Sequence, residues 1–519
     1  MNPTVFPTQH ILLAVILSTI AYMLLFFAYS AFRKKNVYLD PKSKDKSVNY
    51  LVFWLLFAAF VIRIALSVAY VGHKTDIRCF AVWADNLTKY GFKSFYDVNS
   101  GLPDYPPGYM YINGLMSRLS KLVGHPLYAK SGSYDLVYVT FIKLPSIIAD
   151  LAASYFVFRI ARRKFRFAPS FVLMAIVALS PIMAYISGAW GQIDQILTVL
   201  IVLTIYLLNS NRPILGGIVF GLAILMKPQA LMVGPLIALA YIFYIVDPDF
   251  FENSEVEIKN PGTAGVRFVK TCIAVICAVA LIIIAALPFS TKELPWYQLI
   301  YNKYLGTATS YKYASVNAYN LYSLFGHNWA KTSAKTVFGL TFGTVGTIGM
   351  IFSVVSGGVL YWLGRKKNGG ALYLSAAFTF ISLFMLGHYM HERYMFPVLL
   401  LLVVAYLYYG DRKLLLLFFG FSVTALLNCL CAFYYSAYHE YGLYWDTRLV
   451  FGCSLANTLL YLFFIYTAVK ILAFHKLAGD VFGGEDEDNH VATMPVFAEH
   501  PVKEPATSQK PKKAPANRK

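Results

Sequence analysis

His73-Lys-Thr-Asp-Ile-Arg-Cys-Phe-Ala-Val-Trp-Ala84, continued within the same stretch by Asp104-Tyr-Pro-Pro-Gly-Tyr109, is a polar, acid-bearing segment in a chain otherwise dominated by apolar residues. It starts where an apolar run over 50–71 ends, and that run is long enough to cross a hydrocarbon layer of ~30 Å. Working outward from it in both directions, apolar runs alternate with short polar turns. Of the 519 residues, 58% are hydrophobic and 14% are charged, against roughly a quarter charged in a soluble domain. The fold class this implies is all-α, a polytopic transmembrane helix bundle.

The formal charge of +19 fits membrane proteins, which collect Lys and Arg in cytoplasmic loops. That reading leaves no place for a nucleic-acid partner. Five of the six cysteines, Cys272, Cys277, Cys429, Cys431 and Cys453, lie in apolar runs, and Cys79 lies in the quoted stretch. No disulfide framework or zinc spacing results.

Basic clusters orient the spans. The run 10–32 is followed by Arg33-Lys34-Lys35, 136–160 by Arg162-Arg163-Lys164, 337–363 by Arg365-Lys366-Lys367 and 395–409 by Asp411-Arg412-Lys413. With these inside, the spans 10–32, 50–71, 136–160, 170–187, 193–208, 214–226, 230–246, 268–288, 337–363, 371–387, 395–409, 414–434 and 449–474 make about thirteen, N-terminus out and C-terminus in. Residues 1–48 form an extra N-terminal span with a basic cytoplasmic loop. Residues 49–474 form the main membrane domain, with extracytoplasmic loops over 72–134 and 289–335. Residues 475–519, acidic and then rich in Pro, Ala and Lys, read as a disordered cytoplasmic tail.

Once that topology is drawn, Asp76, Asp104, Asp194, Lys227, His388, His391, Glu392 and Arg393 fall at or near outer span ends. Ionisable groups there are functional candidates by default, though some anchor span ends at the headgroups. Ile77, Phe80, Ala84 and Leu87 recur at helical spacing, so 76–89 reads as an amphipathic helix on the membrane surface. Asp76 sits in its first turn, where the helix dipole favours an ionised carboxylate; a capping role is the alternative. Pro106-Pro107 presents Asp104-Tyr105 on an extended segment before a second amphipathic helix, 108–122. His388 and His391 are three apart, but no third ligand has metal-site spacing. No cofactor is expected, with a divalent cation left open. Arg393 suits a phosphate because its fork grips two oxygens, and Lys227 beside a Pro break could serve the same group or snorkel to the headgroups. Arg63, about two turns inside its span, pairs with an acid or with lipid phosphate.

The loop pattern Thr-Asp-Ile-Arg, Trp-Ala, Phe-Tyr-Asp and Gly-Leu-Pro-Asp-Tyr-Pro-Pro-Gly-Tyr resembles the first lumenal loop of the dolichyl-phosphate-glucose-dependent glucosyltransferases of the asparagine-linked glycan pathway, members of the GT-C class of polytopic glycosyltransferases. Met226-Lys-Pro-Gln-Ala-Leu, Ser315-Val-Asn-Ala-Tyr-Asn320 and Met390-His-Glu-Arg393 are similar to further segments of that family. The bend Gly188-Ala-Trp-Gly-Gln-Ile-Asp194 departs from the family's His-Gly-His-Phe-Gln, and Arg393 stands where it has Lys. Trp-Gly-Gln-x-Asp is commoner in bacterial proteins of the class, and the sequon Asn86-Leu-Thr88 disfavours the endoplasmic reticulum, so the resemblance implies a bacterial plasma-membrane relative, with the reticulum membrane as alternative.

What the resemblance implies is transfer of a hexose, glucose or mannose, from a polyprenyl-phosphate donor to a glycan, lipid or protein acceptor at the outer membrane face. Asp76 would be the general base, and Asp104, Tyr105, Gln192, Asp194, Lys227, Gln229, Asn317, His388, His391, Glu392 and Arg393 would bind substrate. The chemistry is compatible with the residue types. An inverting transfer needs a base for the acceptor hydroxyl and cations for the departing phosphate, which Arg393, His391 and Lys227 could supply. The competing class is a multi-span transporter or flippase of lipid-linked sugars, which should keep polar residues near mid-membrane and show repeats.

Overall fold

The computed structural model describes residues 8–34, 46–93, 95–98, 103–165, 167–250, 258, 261–306, 312–438 and 447–477. Most of the basic loop expected after the first span, and the expected disordered tail beyond 477, lie outside the described residues.

The all-α architecture is the one that forms. Two lipid-facing helices, α1 (Thr8–Lys34) and α2 (Lys46–Ala69), lead into the first outer loop, which holds α3 (Lys74–Tyr90), the short α4 (Phe95–Val98) and α5 (Pro107–Leu122). The chain returns through α6 (Leu136–Lys164), bends through α7 (Phe167–Ala178) and α8 (Pro181–Ala184), and continues as α9 (Asp194–Asn209), α10 (Pro213–Met226), α11 (Gly234–Val246) and α12 (Ala264–Ala286). The second outer loop carries α13 (Trp296–Tyr301), β1 (Ser315–Val316) and α14 (Leu321–Leu324). The last spans are α15 (Phe342–Gly364), α16 (Ala371–Leu386), α17 (Pro397–Tyr409), α18 (Arg412–Tyr438) and α19 (Thr447–Leu472), with β2 (Met390–His391) between α16 and α17.

Each expected span is a helix, but their lengths fall into two groups. Among the described residues eight are long and apolar enough to cross a membrane, or up to nine if Phe167–Ala178 and Pro181–Trp190, bent by 43°, count as one. The helices α9, α10, α16 and α17 are shorter, so length and composition do not establish the expected thirteen crossings. The short ones include the centre of the bundle. Every residue of α17 is buried, as is all of α16 up to Met385, which is what a helix apolar on every side demands. The outer helices α1, α2, α12 and α15 instead expose Leu13, Leu17, Phe53, Val275, Ile276, Ile351 and Phe352, a belt suited to acyl chains. Where α10 meets α12, Gly217 and Gly221 lie against Ala274 and Ala278. A Cβ on Gly217 would stand 2.8 Å from that of Ala274, so small residues let the two backbones approach.

One expectation is corrected. Ile77, Phe80, Ala84 and Leu87 do not lie on the membrane; they are at most 2% exposed and pack into an aromatic core with Tyr105, Tyr109 and Tyr138. Backbone carbonyls of α3 are held from below, by Asn113 Nδ2 at Phe80 (2.8 Å) and the Tyr138 hydroxyl at Ala81 (3.2 Å). An apolar stripe looks the same whether lipid or protein covers it. Here α5 and α6 cover it first.

The two ends of the bundle differ in chemistry. At one end Arg163 donates to the Tyr206 hydroxyl, Lys164 lies over the Tyr408 ring, and Arg365 pairs with Asp247 at 3.1 Å. Two of the basic clusters used to set the topology, those at Arg163-Lys164 and at Arg365, thus lie at this end. At the other end Asp76, Trp190, Lys227 and Arg393 meet.

Candidate functional site

The site is assembled from the first turn of α3, the bend before α9, the break after α10 and the turn before α17. The α3 helix is capped by His73, whose Nδ1 accepts the backbone N–H of Asp76 at 3.4 Å. Asp76 is therefore not the cap, and its side chain is turned toward the bend. Its Oδ2 accepts from Trp190 Nε1 and from Gln192 Nε2, both at 2.7 Å. Arg393 Nη2 stands 3.4 Å from the same oxygen and His73 Nδ1 3.6 Å. These hydrogen bonds and ion pairs all converge on Oδ2, while the Asp76 side chain keeps 20% exposure. Burial pushes the Asp76 carboxyl up, but the Arg393 charge, then His73 and the two hydrogen bonds, outweigh it and hold it well below the usual carboxylate range.

The bend has its own logic. Tyr185–Trp190 is a π-helical turn, a geometry common at functional sites, and it ends at Gly191 with φ +87°, which a residue with a Cβ rarely adopts. Gly188 passes so close to α2 that a Cβ there would lie 2.8 Å from the Arg63 carbonyl oxygen. Trp190 is fully buried; His73 stacks on it at 4.6 Å and 5°, and the Arg393 guanidinium lies 5.0 Å from its ring centroid. The tryptophan therefore orients the acid and touches the cation.

Of the other residues singled out from sequence, Tyr105 donates to Gln192 Oε1 at 3.1 Å, extending the network back to the first loop. Asp104 is raised by burial and by the Asp76 charge, against Lys227 and Lys303. Lys227 and Asp194 form a buried pair at 2.5 Å, with Lys227 5.9 Å from the Tyr105 ring and 5.7 Å from that of Tyr394. Gln229 Nε2 donates to the Tyr394 carbonyl at 3.3 Å, and Glu392 accepts from Arg393 Nε at 3.2 Å. Among the described residues neither Asp194 Oδ2 nor Arg393 Nη1, both buried, has a hydrogen-bond partner. His391 is pushed down to about 3, by burial first and then by Arg393. It is neutral at neutral pH, so of the three cations expected to face a phosphate it can offer a hydrogen bond but no charge.

Asn317 and His388 are placed differently. Asn317, at φ +57°, accepts Trp329 Nε1 at 2.9 Å on its side chain and Asn428 Nδ2 at 2.7 Å on its carbonyl. It pins the second outer loop beside β2, where Val316 pairs in parallel with His391. His388 turns to α15, bonding Thr347 at 3.2 Å and filling the space over Gly346. It does not join the group around Asp76.

Four partners went unread in the sequence. Trp190 was visible only as part of a motif, and His73 only as part of the loop. Arg63 bonds Asp150 Oδ2 at 2.7 Å with both side chains buried, which settles its partner as an acid. Lys143, also fully buried, donates to three backbone carbonyls. A lysine and an aspartate within one apolar run were the available signal. Among the described residues no group of three or more His, Cys, Asp or Glu side chains is placed to hold a metal ion.

The fold and this site define an integral-membrane protein with a carboxylate–guanidinium centre at one end of its helices. Residues 138–254 match the family described as dolichyl-phosphate-mannose-protein mannosyltransferase. Over 211 residues the chain is 23% identical to the dolichyl pyrophosphate Glc1Man9GlcNAc2 alpha-1,3-glucosyltransferase of Arabidopsis thaliana, an alignment covering 39% of this chain and 40% of that protein. The chain thus spans less than half the length of the curated relative it matches. Both similarities support a glycosyltransferase of the GT-C type. The family match includes the bend carrying Trp190 and Gln192, and Lys227 as well.

Proposed function

We propose that this protein transfers a hexose from a polyprenyl-phosphate donor to a glycan, lipid or protein acceptor at the extracytoplasmic face, with inversion and with Asp76 as general base. The observation that carries this reading is the Asp76 carboxylate, held ionised and fixed through one oxygen. Oδ1 remains for the acceptor hydroxyl. As the hydroxyl oxygen of the acceptor attacks the anomeric carbon, the bond from carbon to the phosphate oxygen breaks, and its electron pair leaves with the phosphate. The hydroxyl proton passes to Asp76. A carboxylate held this acidic is a weak base, so it takes the proton late, when the attacking oxygen has become positive. Arg393, with Nη1 unpartnered, and Lys227 neutralise the departing phosphate; an ordinary phosphate leaving group needs no protonating acid, unlike the paired carboxylates of hydrolysis.

The test uses purified protein in detergent with radiolabelled polyprenyl-phosphate-glucose or -mannose and a membrane lipid extract. Wild type should consume one donor, and Asp76→Asn should bind it while turning over about 10²–10⁴-fold more slowly. Equal turnover by the two would remove Asp76 from catalysis. Movement of labelled lipid across liposomes without turnover would favour a flippase.

A further inference from the structure

We infer that Lys143 is a positioning residue for the Asp76 site, acting from inside the bundle through the bend that carries Trp190 and Gln192. One stripe of α6, residues 143, 146 and 150, grips that bend at successive points. Lys143 Nζ donates to the carbonyls of Tyr70 (2.6 Å), Gly188 (3.0 Å) and Ala189 (3.2 Å). Ser146 Oγ donates to the Gln192 carbonyl at 2.6 Å, and Ser187 Oγ to Asp150 Oδ2 at 2.6 Å. The spacing i, i+3, i+7 puts the three on one helical face.

An ammonium has three donors, and here each meets a main-chain oxygen at a helical C-terminal end, α2 on one side and the π-turn on the other. Those ends carry partial negative charge, so carbonyls rather than a carboxylate hold Lys143 among the described residues. Burying a charge in this way costs free energy that an apolar residue would not. What the arrangement delivers is geometry: the two residues after Ala189 that point at Asp76 Oδ2 hang from carbonyls that Lys143 and Ser146 fix. Gly191 crosses the lysine stem so closely that a Cβ there would lie 3.1 Å from Lys143 Cε.

The inference rests on the reading of Asp76 as base, and its test separates the two. The groups facing Asp76 are His73 and Cys79 on α3, Asp104, Tyr105 and Tyr109 from the first loop and α5, Trp190 and Gln192 on the bend, Lys227 after α10, and His391, Glu392 and Arg393 before α17. All are retained in Lys143→Met. In that variant the acid limb of kcat/KM should move up by at least one pH unit, kcat should fall at least 10-fold, and donor KM should stay within 2-fold. Lys143→Arg, which restores charge and donors, should recover most of the loss. A second readout needs no donor. Infrared difference spectra, each protein minus its Asp76→Asn counterpart, should show a protonated carboxyl band appearing at higher pH in Lys143→Met than in wild type. An unmoved acid limb and band, with activity lost only in proportion to folded protein, would overturn the inference. If the band moves while Asp76→Asn stays active, the positioning role stands and the catalytic reading falls.

Discussion

At the scale of single residues, Asp76 receives two neutral N–H donors and one guanidinium on a single oxygen, and each can be removed separately. Trp190→Phe keeps an aromatic ring against His73 and deletes one N–H. That N–H orients the carboxylate, and misplacing a catalytic group by about 1 Å can cost about 10²-fold, so turnover should fall by up to about 10²-fold. The sign of the pH effect follows from the direction of the shift. Asp76 lies below its ordinary range, so its ionised form persists as pH falls, and losing a donor brings protonation to higher pH. A pH–rate profile that kept its acid limb in Trp190→Phe would contradict this. His391 offers a stability test of the same kind. Folded, it titrates near 3, against an ordinary 6.5. Between those values the unfolded chain binds the proton first, so stability falls as pH falls through that window. Wild type should therefore lose more thermal stability than His391→Gln between pH 6.5 and 4, measured by melting in detergent; parallel losses would remove the histidine from the acid response. Asp76 and Arg393 could be picked out from sequence because ionisable groups at outer span ends, away from the basic inner clusters, are functional candidates by default. Trp190 could not, because aromatic residues are common in such a chain and only contact reveals this one as a donor.

At the scale of elements, the helices follow from hydrophobic runs and their punctuation: Pro107, Pro181, Pro213 and Pro397 each stand in a helix's first turn, where the missing N–H costs nothing. Pairing between helices does not follow. Arg63 on α2 and Asp150 on α6 are 87 residues apart and completely buried, and either could have met lipid phosphate or another helix. Breaking such a pair from one side costs about 3–5 kcal/mol, because a charge is left behind. Arg63→Met should lower the melting temperature sharply, and Arg63→Met with Asp150→Leu should restore most of it. A double variant as unstable as the single one would show that the pair contributes more than mutual neutralisation, through the Ser187 hydroxyl on Asp150. The surface-helix expectation for α3 failed at this same scale: its apolar stripe was read correctly and its covering layer was not.

For the whole molecule, the basic residues Arg163, Lys164 and Arg365 lie at one end and the acid–guanidinium site at the other, which makes orientation testable. With Cys79 replaced by Ala, Lys130→Cys and Lys331→Cys should react with an impermeant maleimide in intact cells, and Lys366→Cys only after permeabilisation; labelling of Lys366→Cys from outside would invert the topology. The ionisable residues also do not all sit at one surface as the sequence implied, since Arg63, Lys143 and Asp150 lie within spans. They are tied to one another's helices and to the bend, and so brace the site rather than line a path through the bundle. Hydrophobic length and basic punctuation were enough by themselves to determine an all-α membrane protein and its helices in order, and the acid-bearing loop and the outer span ends singled out Asp76 and Arg393 as candidates, which the fold brings together. Which helices are central, that α3 rides on protein, and that Trp190 and Gln192 donate to Asp76 were settled only by the tertiary structure. The physical reason is that burial in lipid and burial in protein select the same apolar residues, whereas a hydrogen bond between residues 114 positions apart exists only once the helices have packed.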